Sequence, residues 1–319
     1  MMVSILYFCL GLISLLLLLV FLMPARMGKH VYQLAIKTES ALYGFKKQQI
    51  DIGEMKIHFY QNHQNHQNQF LQRETIIMLH GFSADKDVWL RFARFFSKKY
   101  NVIIPDMAGH GETGFSKNWH YDAKSQLSRL NLLFDKLNIE KAHLIGNSMG
   151  GFFAAQFAKD YASKVISATL IDPAGLSSSN KSDMDKMLAK GKNPFIINSR
   201  EEFDYFYAMT MARPPWFPSF IHQYIYEKYQ SQQGQLTQMF TEFFHDEKLD
   251  EHLSEISCPV LLLWGEKDRL IDVSEVDKWQ AGVKNIQTKT WPDIGHMPML
   301  EIPQESAQVY NCFLQSLTR

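Results

Sequence analysis

Ser148 lies in Gly146-Asn147-Ser148-Met149-Gly150, with a glycine two residues away on either side. A serine hydroxyl is a weak nucleophile until a base takes its proton. Its setting suggests activation. The apolar run Ala142-His143-Leu144-Ile145 leads in, and a helical pattern over Met149–Lys159 leads out, with Gly151, Ala154 and Ala155 at small-residue positions. A strand that turns sharply into a helix strains the backbone and lifts one side chain clear of the sheet. Glycines on both sides remove Cβ atoms that would collide there. A helix starting just past Ser148 aims its first amides at the place where an oxyanion would form. The bland alternative is a glycine-rich turn in which Ser148 caps the helix. The strand–turn–helix setting favours the nucleophile.

The base is expected late in the chain, with the acid before it. Of twelve histidines, only His296, in Asp293-Ile294-Gly295-His296-Met297-Pro298, falls after the last predicted strand and before the last predicted helix. Two acids compete. Asp268 follows the strand Val260–Trp264, and Asp172 follows the strand Val165–Ile171. Either would stand at a strand end, where a carboxylate fixes an imidazole and stabilises the imidazolium. Asp268 is preferred, because Asp172-Pro173 reads as a turn leading onward; Asp293 reads as a loop residue. The oxyanion donors are expected to be the main-chain amides of Met149, just after the nucleophile, and Phe82, in Leu79-His80-Gly81-Phe82. Pro105-Asp106-Met107-Ala108-Gly109-His110-Gly111 reads as a structural turn in which Asp106 bonds nearby amides. No metal is expected: His63 and His66 stand in a Gln/Asn/His tract with no carboxylate or thiolate placed to complete a site. No cofactor is implied.

Positioning these groups requires a scaffold, and its signature is an alternation. Short apolar runs occur at Thr75–Leu79, Val102–Pro105, Ala142–Ile145, Val165–Ile171, Val260–Trp264 and Ile286–Thr290. Helical stretches lie among them at Lys86–Lys98, Ala123–Leu137, Met149–Lys159 and Val273–Ala281. This predicts an α/β protein with a mostly parallel sheet covered on both faces. A hairpin is predicted over Gln49–Tyr60, about Gly53-Glu54. The rhythm breaks after Gly175: residues 176–251 carry helical and aromatic segments with Pro214-Pro215 and Pro218, and no convincing strand. That block reads as a helical cap over the edge where open α/β sheets hold ligands. The hydrolase core then comprises 48–175 and 252–319.

The chain has 319 residues, with 33 basic against 33 acidic side chains. That balance argues against a nucleic-acid partner, and nothing implies a protein partner. Cys9, Cys258 and Cys312 are too few and too scattered for a disulfide scaffold. Val3–Met23 contains no charged residue and, as a helix, would span roughly 30 Å, the thickness of a bilayer core. The start carries no Lys or Arg, and Pro24-Ala25-Arg26 is a poor cleavage site, so residues 1–25 read as an uncleaved single-pass anchor in the membrane. Arg26, Lys29 and Lys37 follow it, which places the catalytic part on the cytoplasmic side. Residues 26–47 read as an amphipathic linker helix, resting on the membrane surface or packed on the catalytic domain.

Taken together, His80-Gly81-Phe82, Pro105-Asp106 with Gly109 and Gly111, Gly146-Asn147-Ser148-Met149-Gly150-Gly151, Trp264-Gly265 with Asp268, and Gly295-His296 with Pro298 resemble the α/β-hydrolase superfamily. Within it the set is similar to bacterial lipases and membrane-anchored monoacylglycerol lipases. The resemblance covers residues 48 to 319. It implies Ser148 as nucleophile, Asp268 as acid, His296 as base, and Phe82 and Met149 as oxyanion donors. Carbon–carbon bond hydrolases share Asn147-Ser148-Met149-Gly150-Gly151 but usually carry Trp after the catalytic histidine, where Met297 stands here. The cap is rich in large apolar residues, and Phe203, Phe206, Met209, Trp216 and Phe217 are its candidate substrate contacts. The expected substrate is a lipid ester with one bulky acyl chain, monoacylglycerol leading. The competing expectations are a carbon–carbon hydrolase of vinylogous diketones and a non-catalytic membrane scaffold.

Overall fold

A computed structural model describes residues 24–62, 73–243 and 248–317, with Ile5, Tyr7, Phe8, Gly11 and Ser14 before them. The chain opens with helix α1 (Pro24–Leu42), then β1 (Phe45–Asp51), β2 (Lys56–Asn62) and β3 (Thr75–Leu79). A 3₁₀ turn at Lys86–Trp89 runs into α2 (Leu90–Ala93), followed by β4 (Asn101–Pro105) and α3 (Ala123–Lys136). Next come β5 (Ala142–Asn147), α4 (Met149–Asp160) and β6 (Val165–Ile171). Four helices follow: α5 (Asp183–Leu188), α6 (Arg200–Thr210), α7 (Ser219–Ser231) and α8 (Gln233–Phe243). The chain then runs through β7 (Val260–Gly265), α9 (Glu275–Gly282), β8 (Ile286–Trp291), α10 (Pro298–Glu301) and α11 (Pro303–Leu317).

The eight strands form one sheet in the order β1-β2-β4-β3-β5-β6-β7-β8. β1 and β2 are a hairpin, β2 joins β4 antiparallel, and every later pairing is parallel. Strands β3, β4, β5 and β7 are buried along their whole length, as expected where helices cover both faces of a parallel sheet. Edge strand β8 instead alternates between half-buried and exposed residues up to the buried Trp291. One face packs Leu127, Phe134, Phe153, Phe157 and Trp279 from α3, α4 and α9. The other packs Trp89, Phe92, Tyr310 and Phe313.

The segment expected as a helix over Lys86–Lys98 is shorter than its pattern. The Lys86 amide and ammonium both bond Asp106, at 2.8 and 2.6 Å, and Asp85 caps the turn through the Asp87 amide. Those ties hold the entry as a tight 3₁₀ turn, and one α-helical turn follows.

Between β6 and β7 the chain leaves the sheet and returns to the same place. The Leu249 amide bonds the Gly175 carbonyl at 2.8 Å, and the Ser177 amide bonds Asp250 at 2.9 Å. That stitch roots α5–α8 over the C-terminal ends of the parallel strands. Helix α1 packs on α7: a Cβ at Gly28 would sit 2.0 Å from the Phe220 carbonyl oxygen, and the Tyr32 and Tyr224 rings lie 5.7 Å apart. Glu39 adds a hydrogen-bonded ion pair to Arg91. The helix expected over 26–47 therefore packs on the protein, and it stops at Leu42 because Gly44 turns at φ 80° into β1. The apolar stretch Val3–Met23, expected to be an anchor, lies outside the described residues apart from the five positions named above. Among the described residues, no helix is long and apolar enough to cross a membrane.

Candidate active site

Strand β5 delivers Ser148 at its C-terminal end, and α4 starts at the next residue. The serine backbone sits at φ 57°, ψ −119°, a conformation that costs a non-glycine residue about 1–3 kcal/mol. Close packing keeps it there. A Cβ on Gly146 would lie 2.0 Å from the Gly150 carbonyl oxygen, and one on Gly150 would lie 2.2 Å from that of Leu79. Only glycine fits at either place, which is the physical content of the motif. The Ser148 amide bonds the Ile171 carbonyl, locking the turn to β6.

The loop after β8 carries His296. Its Nδ1 lies 2.6 Å from Asp268 Oδ2, and both residues are buried. The other oxygen of Asp268 accepts the Leu270 amide at 2.7 Å and the Ile271 amide at 3.0 Å. Amide donors on one oxygen leave the other to accept from the ring, which makes Nδ1 the donor and leaves Nε2 free to accept. His296 and Ser148 line one cavity of about 170 Å³. The serine hydroxyl has no hydrogen-bond partner among the described residues; such contacts are often loose before substrate arrives. Asp172 lies beside Asp268 and is treated below.

The loop after β3 is held from below by two buried histidines. His80 Nε2 accepts the Met107 amide at 3.0 Å, so its Nδ1 donates to the Gly81 carbonyl at 2.8 Å. His110 Nε2 accepts the Ser83 amide at 3.2 Å, and its Nδ1 donates to the Ala108 carbonyl. Burial pushes both imidazoles below their ordinary range, His110 down to about 3. They act as neutral struts. Above them the Phe82 and Met149 amides, the two expected oxyanion donors, have no acceptor among the described residues. Two unspent main-chain donors beside Ser148 are costly to bury unless an anion visits them. Gly81 allows that approach, since a Cβ there would come within 3.2 Å of the Ser148 Cβ.

Of the five cap residues expected to touch substrate, Phe206 and Phe217 line this cavity. Phe203 is instead fully buried inside the cap, ringed by Tyr207, His222, Tyr226 and Tyr229. Met209 is buried and is not a lining residue, and Trp216 points outward at 85% exposure. Lining residues without a sequence signal include Tyr32 from α1, and Lys228 and Tyr229 from α7. Lys228 pairs with Asp85 at 2.8 Å, and the Tyr229 and Ser83 hydroxyls meet at 3.0 Å. A second cavity of about 290 Å³ meets the first at Ser148 and runs toward Ser177, Lys181 and Glu275.

Two further supports escaped the sequence. Asn147 donates to the His296 carbonyl at 2.8 Å. Glu301 accepts the amides of Gly295, Met297 and Arg213, fixing the histidine loop to the cap. Position alone had marked Asn147 as the x of G-x-S-x-G. Among the described residues, two clusters have metal-ligand spacing, His120–Asp122–Glu242 and Asp172–Asp268–His296. In the first, Asp122 already caps α3 and Glu242 accepts the Tyr121 amide. In the second, the His296–Asp268 bond occupies two of the three ligand atoms.

Fold and site define the class: a sheet of this order, with a strained serine at a β5–α4 elbow, is an α/β hydrolase. The chain belongs to that family. The family model for the alpha/beta hydrolase fold matches residues 74–193. Monoacylglycerol lipase ABHD6 of Mus musculus is 30% identical over 257 residues, spanning 77% of this chain and 76% of that one. Lipase 3 of Moraxella sp. is 27% identical over 256 residues, 79% of this chain and 81% of the relative. Among solved structures, a bacterial membrane phospholipase A described as a virulence factor superposes with a TM-score of 0.86 at 30% identity, covering 98% of this chain and 99% of its own.

Proposed function

We propose that this chain is a serine esterase that cleaves lipid esters through an acyl-enzyme on Ser148, monoacylglycerols being the leading substrates. The chain is a carboxylic ester hydrolase acting on lipid esters, and the relatives named above are lipases and a monoacylglycerol lipase. The observation that carries the mechanism is the buried 2.6 Å His296–Asp268 bond on the wall of the cavity that holds Ser148. His296 Nε2 takes the serine proton as Oγ attacks the ester carbonyl. The developing oxyanion turns toward the unspent amides of Phe82 and Met149. Imidazolium, stabilised by Asp268, then protonates the leaving alcohol. Water enters, His296 takes its proton as the water oxygen attacks the acyl carbon, and the imidazolium returns that proton to Ser148 Oγ as the carboxylic acid leaves. Phe206, Met211, Phe217, Ile225 and Leu300 line the cavity beside Ser148, an apolar lining that suits one acyl chain.

The charge-free run Val3–Met23 suits a single membrane pass, and the basic residues after it suit a catalytic domain on the cytoplasmic side. An anchored enzyme would meet its lipid in the bilayer.

An ester panel graded by chain length and head group tests the reading, with fluorophosphonate labelling alongside. We expect monoacylglycerol hydrolysis, rising with chain length, and labelling that vanishes in Ser148→Ala. Equal labelling of the variant would overturn the nucleophile. A flat chain-length profile would overturn the acyl cavity, and turnover of vinylogous diketones in place of esters would overturn the ester reading.

A further inference from the structure

Asp172 stands at the C-terminal end of β6, one strand from the Asp268 loop, and it is fully buried. Its backbone sits at φ 44°, a left-handed conformation unusual for an aspartate in a core. Its Oδ1 accepts the Gly265 amide at 2.9 Å. Its Oδ2 is buried without a partner. The carboxyl oxygens of Asp172 and Asp268 and a ring nitrogen of His296 all lie within 4.8 Å of one another.

Two buried carboxyl groups at that separation do not both ionise. Hydrogen bonding decides which keeps the charge. Asp268 accepts three donors, the Leu270 and Ile271 amides and His296 Nδ1, whereas Asp172 accepts one. The proton therefore belongs on Asp172. A buried O–H must find an acceptor, and the His296 nitrogen facing this cluster is itself a donor, so Asp268 is what remains. We propose that Asp172 is a fourth member of the relay, a positioning residue whose neutral carboxyl donates to Asp268 and holds that acid behind His296. The assignment rests on the serine-esterase reading for its consequence in turnover, and on geometry alone for its protonation state. Burial, then the charge of Asp268, pushes the Asp172 carboxyl well above the usual carboxylate range, and Glu301 pushes it the same way. The titratable groups facing Asp172 are thus Asp268, His296 and Glu301.

The donated bond has a chemical effect. It draws charge from Asp268, weakening that acid's hold on imidazolium. Without it, Asp268 holds imidazolium more firmly, and the acid limb of kcat/KM moves upward. Two variants separate this from a packing role. Asp172→Asn keeps a donor for Asp268 and an acceptor for Gly265; Asp172→Leu keeps neither. We expect Asp172→Leu to lose about ten- to a hundred-fold in kcat, with KM little altered and the acid limb moved up. Asp172→Asn should retain the larger share of kcat and the wild-type limb. Equal losses in both variants, or an unmoved limb in Asp172→Leu, would overturn the proposal.

An infrared difference spectrum of wild type against Asp172→Asn at pH 7 reads the proton without substrate. A neutral carboxylic-acid band that vanishes in the variant supports the assignment, and loss of a carboxylate band refutes it. If wild type cleaves no ester yet shows the neutral acid, the esterase reading fails while the shared proton stands.

Discussion

The C-terminal edge of the sheet and the helical cap face each other across Ser148, yet they are built by different means. At the edge, nearly every group that could act is fixed by directional bonds to main-chain atoms: Asp268 to two amides, Asn147 to the His296 carbonyl, His80 and His110 to the loop beneath Phe82. In the cap, a few directional bonds such as Lys228–Asp85 tie the helices down, and much of the wall over Ser148 is rings on rings. Phe195 lies 4.9 Å from Phe82, 5.2 Å from Phe206 and 5.8 Å from Phe240. Directional bonds fix a geometry to tenths of an ångström, which a proton relay needs. Ring contacts tolerate sliding and repacking, which a chain-binding wall can use. The edge should therefore control turnover, and the cap should control which acyl chains are turned over.

Glu301 is the sharpest place to break this division, since it bonds both the histidine loop and the Arg213 amide at the foot of the cap. Glu301→Ala should lower kcat about ten- to a hundred-fold, by freeing the loop that aims His296. The chain-length profile should keep its shape. A changed profile with intact kcat, measured on a graded ester series, would show that the residue serves the cap and would blur the distinction.

The second test concerns the struts under the edge. Burial pushes the His110 imidazole down to about 3 in the folded state, against about 6.5 when unfolded. Because the folded value is depressed, its contribution is complete above about pH 6.5 and is lost as pH falls below that. His80 is shifted the same way. Urea unfolding at pH 7 and pH 5 should differ by about 2 kcal/mol on account of His110, with His80 acting in the same direction. His110→Asn should remove its share of that slope. No reduction in slope would mean the imidazole is charged in the fold, contrary to its acceptor role toward Ser83.

The division also explains what was legible in the chain. The strands, the elbow, Asp268 and His296 stand out because each obeys a local rule: period, a glycine pair, a strand end. Asn147 obeys no such rule, because His296 is 149 residues away, and neither does the reach of Glu301 to Arg213, 88 residues away. The cap misled further. Phe203 and Phe206 are three apart on α6, and both read as apolar lining. Only tertiary packing decides that Phe206 meets the cavity while Phe203 fills the cap's own core. Tyr32 joins the cavity from a helix that periodicity left undecided between protein and membrane.

The smallest expected effect lies in two neighbouring rings of the 211–218 segment. Phe217 lines the cavity and is half-buried, whereas Trp216 is 85% exposed. If the cap selects chains by lining, Phe217→Ala should cost long-chain esters about tenfold in kcat/KM relative to short ones, the worth of a partly buried aromatic. Trp216→Ala, one residue away, should leave detergent-dispersed selectivity unchanged and shift stability by no more than about 0.5 kcal/mol. The pair shares a loop and bulk, and differs in whether the ring meets the cavity. Equal effects on selectivity would mean that the loop as a whole, and not its inward ring, sets the preference. The ring-built wall would then behave as a jointed unit, closer in kind to the bonded edge opposite it.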